Sequence, residues 1–243
     1  MKNKIIIIFL SVSLVMTSFF TVTTYASISS NRLYGQNRYE TSSKIAQYYN
    51  NNTVNNVILV YGEDFPDALS ASVLAHKLNA PILLIDSTTE GSSNAFDYIG
   101  KHLDKSGNVY IIGSAANTND NFTFYLNQMG YKNIIEIGNN DRYYTNYMVA
   151  RQLNVPQNTP VIISSGENYP DALGISSFAA HNNWPILLVP NDTIPDKTSQ
   201  FLLSDKPSKV YITGGTGVIT SKVEEKMKMR PNIYVHIWYQ KKN

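Results

Sequence analysis

Short, unbroken apolar runs punctuate this chain. Val57-Ile58-Leu59-Val60 is bounded by Asn55-Asn56 and Gly62, and Ile82 to Ile85 and Val109 to Ile112 have the same character. Runs of this length without period-two alternation predict central strands covered on both faces. The stretches between them predict helices over Tyr39–Tyr49, Pro66–Leu78, Ser92–Leu103 and Asn119–Met129. A second series follows at Tyr143–Leu153, Pro170–His181, Pro195–Leu203 and Ser221–Met229. Strands alternating with helices across short turns predict an α/β fold with parallel sheets and right-handed crossovers.

The two series are copies. GEDFPDALS from Gly62 returns as GENYPDALG from Gly166, APILL from Ala80 as WPILL from Trp184, and NRYETS around Arg38 as DRYYTN around Arg142. All three pairs are offset by 104 residues; VYIIG at Val109 and VYITG at Val210 are offset by 101. So constant a register marks a duplicated structural unit. The fold class is therefore α/β, two tandem Rossmann-like modules, and function belongs to a feature that can be used twice.

The N-terminus has a separate logic. Lys2 and Lys4 precede the apolar stretch Ile5–Phe20, and Thr24-Tyr25-Ala26 offers a small-residue exit. This predicts a secretory signal peptide over 1–26 rather than a membrane anchor, and no later stretch is apolar enough to span a bilayer. Of 20 basic and 18 acidic residues, cleavage removes two basic ones and leaves 18 against 18. A neutral exported chain is no electrostatic sponge for nucleic acid or anionic membrane, so an anionic ligand must be caught by a few placed donors. Without cysteine there are no disulfides or thiolate metal sites, and His76, His102, His181 and His236 have no repeat-equivalent or metal-pair spacing. No metal or cofactor is expected.

The turn from Gly62 to Asp67 reads as a strand exit and helix start. Gly62 is expected to allow an unusual backbone angle, Pro66 to occupy the first helical position and Asp67 to complement the helix dipole. Ala68, Ser70, Ala71, Ser72 and Ala75 let the helix lie close to the sheet. The turn is also where open α/β sheets place ligands. Arg38-Tyr39 and Arg142-Tyr143 are the other doubled polar feature. A cation at a helix N-terminus is at the wrong end of the dipole, so each arginine needs another partner. One reading is a scaffold pair with Asp67 (Asp171 in the second copy); the other is bidentate capture of a phosphate or carboxylate ligand. Arg38, Tyr39, Asp67, Arg142, Tyr143 and Asp171 are the ligand-binding candidates.

With RLYGQNRYETSSKIA, GEDFPDALSASVLAHKLNAPILL, NVYIIG and their second copies, the chain resembles the cell wall binding repeat 2 family of Gram-positive surface proteins. The resemblance covers nearly the whole chain after the leader. It implies noncovalent attachment to an anionic secondary wall polymer, a secreted and wall-associated protein, and a three-module arrangement around a pseudo-threefold axis. The family's wall-attachment element maps onto Ile82, Leu83, Leu84 and Ile186, Leu187, Leu188, which on their own read as buried strands. The implied organisation is module 1 over 27–131 and module 2 over 132–243 with a truncated end and the third module absent. Self-association or assembly with three-module relatives is expected, because two faces are left that Tyr234, Trp238 and Tyr239 cover in part. The second copy also departs from the first: Glu40 becomes Tyr144 and Asp64 becomes Asn168.

Catalysis is not expected. Gly214-Gly215-Thr216-Gly217 is a partial dinucleotide turn without the full glycine pattern. A wall hydrolase needs paired carboxylates or a metal triad. Glu63, Asp64 and Asp67 cluster, but the second copy keeps only Glu167 and Asp171. The alternatives to a binding protein are an exported wall-modifying hydrolase or a truncated remnant of a three-module protein.

Overall fold

The computed structural model describes residues 30–113, 121–139 and 141–229, and the backbone of 234–238. The expected signal peptide, the helix start at Asn119 and the aromatic side chains of the tail lie outside the described residues. Both modules belong to one compact unit, Leu33–Asn243.

Each module is a four-stranded parallel sheet with helices on both faces. The first contains α1 (Arg38–Tyr49), β1 (Val54–Tyr61), α2 (Phe65–Leu78), β2 (Ile82–Ile85), α3 (Ser93–His102), β3 (Leu103–Ile112), α4 (Phe122–Gln128) and β4 (Asn133–Ile137). The second repeats the series as α5 (Arg142–Gln152), β5 (Val161–Ser165), α6 (Tyr169–Asn182), β6 (Ile186–Val189), α7 (Asp196–Asp205), β7 (Lys209–Thr213), α8 (Ser221–Lys228) and β8 (Tyr234–Trp238). The strand orders are β2-β1-β3-β4 and β6-β5-β7-β8, so the topology is duplicated with the sequence. β4 lies beyond residue 131, yet it hydrogen-bonds to β3 and completes the first sheet.

Local signals mark several of the helix ends. Asn37 caps α1 by accepting the Glu40 N–H at 2.8 Å, and Asp141 caps α5 by accepting from Tyr143 at 2.8 Å. α2 and α6 end on Asn79 (φ 50°) and Asn183 (φ 54°), asparagines in the left-handed conformation that a helix stop favours. No described helix is long and apolar enough to cross a membrane.

Three apolar clusters hold these layers. One covers the outer face of sheet 1 and centres on Leu59, Leu83, Phe96 and Ile99. One covers the outer face of sheet 2, around Ile163, Leu187, Phe201 and Val223. The third joins the modules: Ile58, Leu69 and Leu74 from the first meet Val149, Leu153, Ile175 and Leu188 from the second. α2 is the hinge of this cluster. It packs on β1 and β2 of its own sheet and on α5, α6 and β6 of the other module. Burying each such leucine contributes about 1.5–3 kcal/mol, so the junction is a core rather than a linker.

Candidate functional site

The doubled polar residues gather beyond the C-terminal ends of β1 and β5, and tyrosine packing decides their placement. A Cβ built on Gly62 would lie 2.7 Å from Cε1 of Tyr39, and one on Gly166 would lie 2.5 Å from Cε1 of Tyr143. Glycine is required because a ring lies against the backbone. The unusual angle expected at Gly62 is not adopted: among the described residues the positive-φ glycines are Gly113, Gly130, Gly138 and Gly214. Pro66 takes the second helical position, after Phe65, where it equally lacks need of an N–H partner.

In module 1, Arg38 Nη1 donates to the Gly62 carbonyl at 2.8 Å and to Glu63 Oε2 at 3.2 Å. The Tyr39 hydroxyl donates to Glu63 Oε1 at 2.5 Å. Burial, the bond to Glu63 and nearby Asp86 all push that hydroxyl well above the ordinary tyrosine range. Burial also presses the Asp86 carboxyl upward, but bonds from Ser87, Thr88 and Tyr39 outweigh it and hold the group below its ordinary value. Asp86 is the residue of this cluster that the sequence pattern missed, and Glu63 stood out there only as one of a group of acids, not as the partner of Arg38 and Tyr39. Glu63 has a repeat partner in Glu167, and that doubling was its available signal.

In module 2, Arg142 Nη1 reaches the Gly166 carbonyl at 2.8 Å, as its counterpart does. Its Nη2, however, bonds Asp64 of module 1 at 3.1 Å. The expected pairs with Asp67 and Asp171 do not form. Asp67 is buried beside Asp64 and Arg142; burial first, then repulsion from Asp64, push its carboxyl up to about 6 against the pull of Arg142. Asp171 is directed at its own β7–α8 turn, where a Cβ on Gly214 would lie 2.7 Å from its Oδ2. Thus Arg38 and Tyr39 share one acid, Arg142 and Asp67 share a cross-module neighbourhood, and Asp171 is separate.

The wall-attachment candidates lie in β2 and β6. Leu83, Leu187 and Leu188 are fully buried and Ile186 nearly so, while Ile82 and Leu84 pack against the intermodule cluster. Leu84 N–H donates to Ser42 Oγ at 3.0 Å, and Leu188 N–H donates to Asn146 Oδ1 at 2.8 Å. These strands tie each first helix to its sheet, so their side chains act on the modules from within. Among the described residues no group of three His, Asp or Glu side chains could hold a metal ion.

The model of the family described as cell wall binding domain 2 matches residues 32–123 and 136–224. The chain belongs to that family. It is 32% identical over 225 residues to the amidase enhancer of Bacillus subtilis, covering 90% of this chain and 29% of that protein. It is 30% identical over 212 residues to the N-acetylmuramoyl-L-alanine amidase LytC of the same organism, covering 86% of this chain and 40% of the relative. The fold is similar to that of Cwp8 from Clostridium difficile, with a TM-score of 0.73 at 24% identity over 86% of this chain and 35% of that one. Cwp6 from the same organism gives 0.72 at 23% identity, over 87% and 36%. The chain thus spans well under half the length of these relatives. Cell wall binding is what membership implies.

Proposed function

We propose that this protein is exported and attaches noncovalently to the cell wall through an anionic secondary polymer, without catalytic activity of its own, in company with further copies or three-module relatives. The carrying observation is the pair of half-exposed arginines, each tied to a glycine carbonyl at the same corner of its module. The glycine carbonyl orients the guanidinium and the exposed carboxylate partner balances it. An ion pair this exposed is worth about 0–1 kcal/mol. A polymer phosphate or carboxylate can therefore replace Glu63 at Arg38 at little cost and gain a bidentate contact. Two such corners on one chain give a repeating polyanion two points of attachment, which multiplies the effect of weak sites.

The test is a pull-down with purified walls, before and after chemical removal of the secondary polymer. Binding is expected to disappear with the polymer and to weaken for Arg38→Ala combined with Arg142→Ala. Equal binding to stripped walls overturns the polymer reading. Release of soluble wall fragments by the purified protein would instead make it a hydrolase.

A further inference from the structure

The second copy departs from the first at three positions that meet in space. Glu40 of α1 becomes Tyr144 of α5, and Ser43 becomes Tyr147, both at the 104-residue offset. α3 and α7 each span 10 residues and begin at Ser93 and Asp196, so their second residues, Asn94 and Lys197, are equivalent. Module 2 thus exchanges an acid, a hydroxyl and an amide for two aromatic rings and an ammonium group.

The three side chains form a cluster. Tyr144 and Tyr147 are three residues apart on α5 and share one side of the helix. Their ring centroids are 6.3 Å apart and their planes are inclined at 44°. Lys197 Nζ reaches over the Tyr147 ring, 5.6 Å from its centroid. Arg151, one turn further along the same stripe, bonds Asp205 of α7 at 2.7 Å. The stripe therefore faces α7 and turns away from module 1, whose α2 packs at Val149 and Leu153 on the other side of α5.

Folding accounts for only part of this cluster. Tyr147 packs against the outer apolar cluster of module 2. Tyr144 belongs to none of the three apolar clusters, and its hydroxyl has no hydrogen-bond partner among the described residues. Lys197 donates to Gln200 Oε1 at 3.2 Å and forms no ion pair among the described residues. What remains is a partly exposed ring, propped on a second ring that the core anchors, with a lysine beside it.

The cluster shares an edge with an arginine corner. α5 begins at the C-terminal end of sheet 2, where Arg142 holds the Gly166 carbonyl, and α7 begins at the same end, after β6. Arg142 and Tyr144 are two residues apart, so they leave the first turn of α5 on different sides. The arginine turns to Asp64 of module 1 and the tyrosine toward α7.

We propose that this cluster is the sugar-recognising part of the wall attachment: Tyr144 carries a sugar ring next to the anionic group that Arg142 holds. This deepens the polymer reading and rests on it; it adds that the polymer is a glycan and that module 2 recognises its sugar. A pyranose presents a C–H face that lies on an aromatic ring, and its hydroxyls can bond the unpartnered phenol. A tyrosine offers this contact area at low entropy cost. The Lys197 ammonium supplies further donors to the hydroxyls. Module 1 lacks the platform, because Glu40 accepts from the Gln36 N–H at 2.6 Å and pairs with Lys44 at 2.9 Å.

Affinity for purified walls, measured across a salt series, tests this. Tyr144→Ala should weaken binding roughly three- to tenfold. It should leave the slope of log affinity against log salt unchanged, because a ring releases no counterion. Arg142→Ala, by contrast, should lower that slope by about one. Tyr144→Phe, which keeps the ring, should recover most of the loss. Should Tyr144→Ala fail to fold, Tyr144→Glu repeats the test with the residue that module 1 carries at this position. Wild-type affinity in the Tyr144 variant, on walls whose chemical stripping abolishes wild-type binding, overturns this inference and leaves the polymer reading standing. Equal binding of the wild type to stripped walls overturns the polymer reading itself. A slope lowered in Tyr144→Ala as it is in Arg142→Ala would mean that the tyrosine acts only by placing the cation, and overturns the sugar contact.

Discussion

Arg142 Nη2 lies 3.1 Å from Asp64 Oδ2, although the two residues belong to different copies of the repeat. The equivalent Arg38 turns to Glu63 in its own module. The same arginine, held by the same glycine carbonyl, takes a different acid because module 2 has a neighbour at that corner. In a double-mutant cycle, Arg142→Ala and Asp64→Ala are expected to couple by about 0.5–1 kcal/mol in urea unfolding, the modest value of a half-exposed pair. Arg38→Ala and Asp67→Ala should be additive, since Arg38 is held by Glu63. Coupling in the second pair and none in the first would reverse this assignment.

Asp67 should make the protein less stable at neutral pH than in mild acid. Its folded-state value of about 6 is above that of an unfolded aspartate, with burial as the main cause and Asp64 adding to it. The folded protein then binds the proton more tightly than the unfolded chain. Stability from this group is present in full below about pH 4 and falls as pH rises through about 6. Asp67→Asn, which removes the charge, should raise unfolding free energy at pH 7.5 by about 1–3 kcal/mol and flatten the profile between pH 4 and 6.5. An unaltered pH profile in the variant would show that other carboxylates set it.

Much of this fold was readable from the chain, for a physical reason. Strands buried on both faces must be apolar throughout, so Val57–Val60 and Ile82–Ile85 announced themselves, and the latter matches β2 end for end. Duplication then supplied the second module from the first. What the pattern lacked was the neighbour. A repeat treats Asp64 and Asn168 as one position, but only Asp64 faces an arginine of another module. The change from acid to amide was visible in the sequence as a departure, and its meaning required the junction. Gly62 was misread for a similar reason: a backbone angle is a local property, whereas the approach of the Tyr39 ring from 23 residues away is tertiary.

That ring contact gives a prediction at both copies. Gly62→Ala and Gly166→Ala would each force a tyrosine ring out of place, and the buried Tyr39 ring has little room to yield. Overpacking of this kind costs about 1–3 kcal/mol. Gly174→Ala is the control, with nothing within 4 Å of the added carbon in a helix. It should stabilise by about 0.5–1 kcal/mol. Thermal melts of the three variants decide the matter; equal melting temperatures would mean that the tyrosines move aside freely.

Wall binding should respond to salt, and only gently. Two arginine corners on a chain with 20 basic and 18 acidic residues offer few ionic contacts. Screening at 0.15 M salt already limits exposed charges to about 8 Å of reach. Affinity for purified walls should therefore decline gradually between 50 and 500 mM salt, by roughly 25- to 60-fold across that range for two released ions. Arg38→Ala with Arg142→Ala should remove most of the slope while leaving the melting temperature within a few degrees, because the ion pairs contribute little to folding. Glu63→Gln makes the opposite change. It frees Arg38 of its internal carboxylate while keeping a hydrogen-bond acceptor for Tyr39, so binding should tighten. Weaker binding in Glu63→Gln, with the fold intact, would show that Glu63 positions Arg38 for the polymer rather than competing with it.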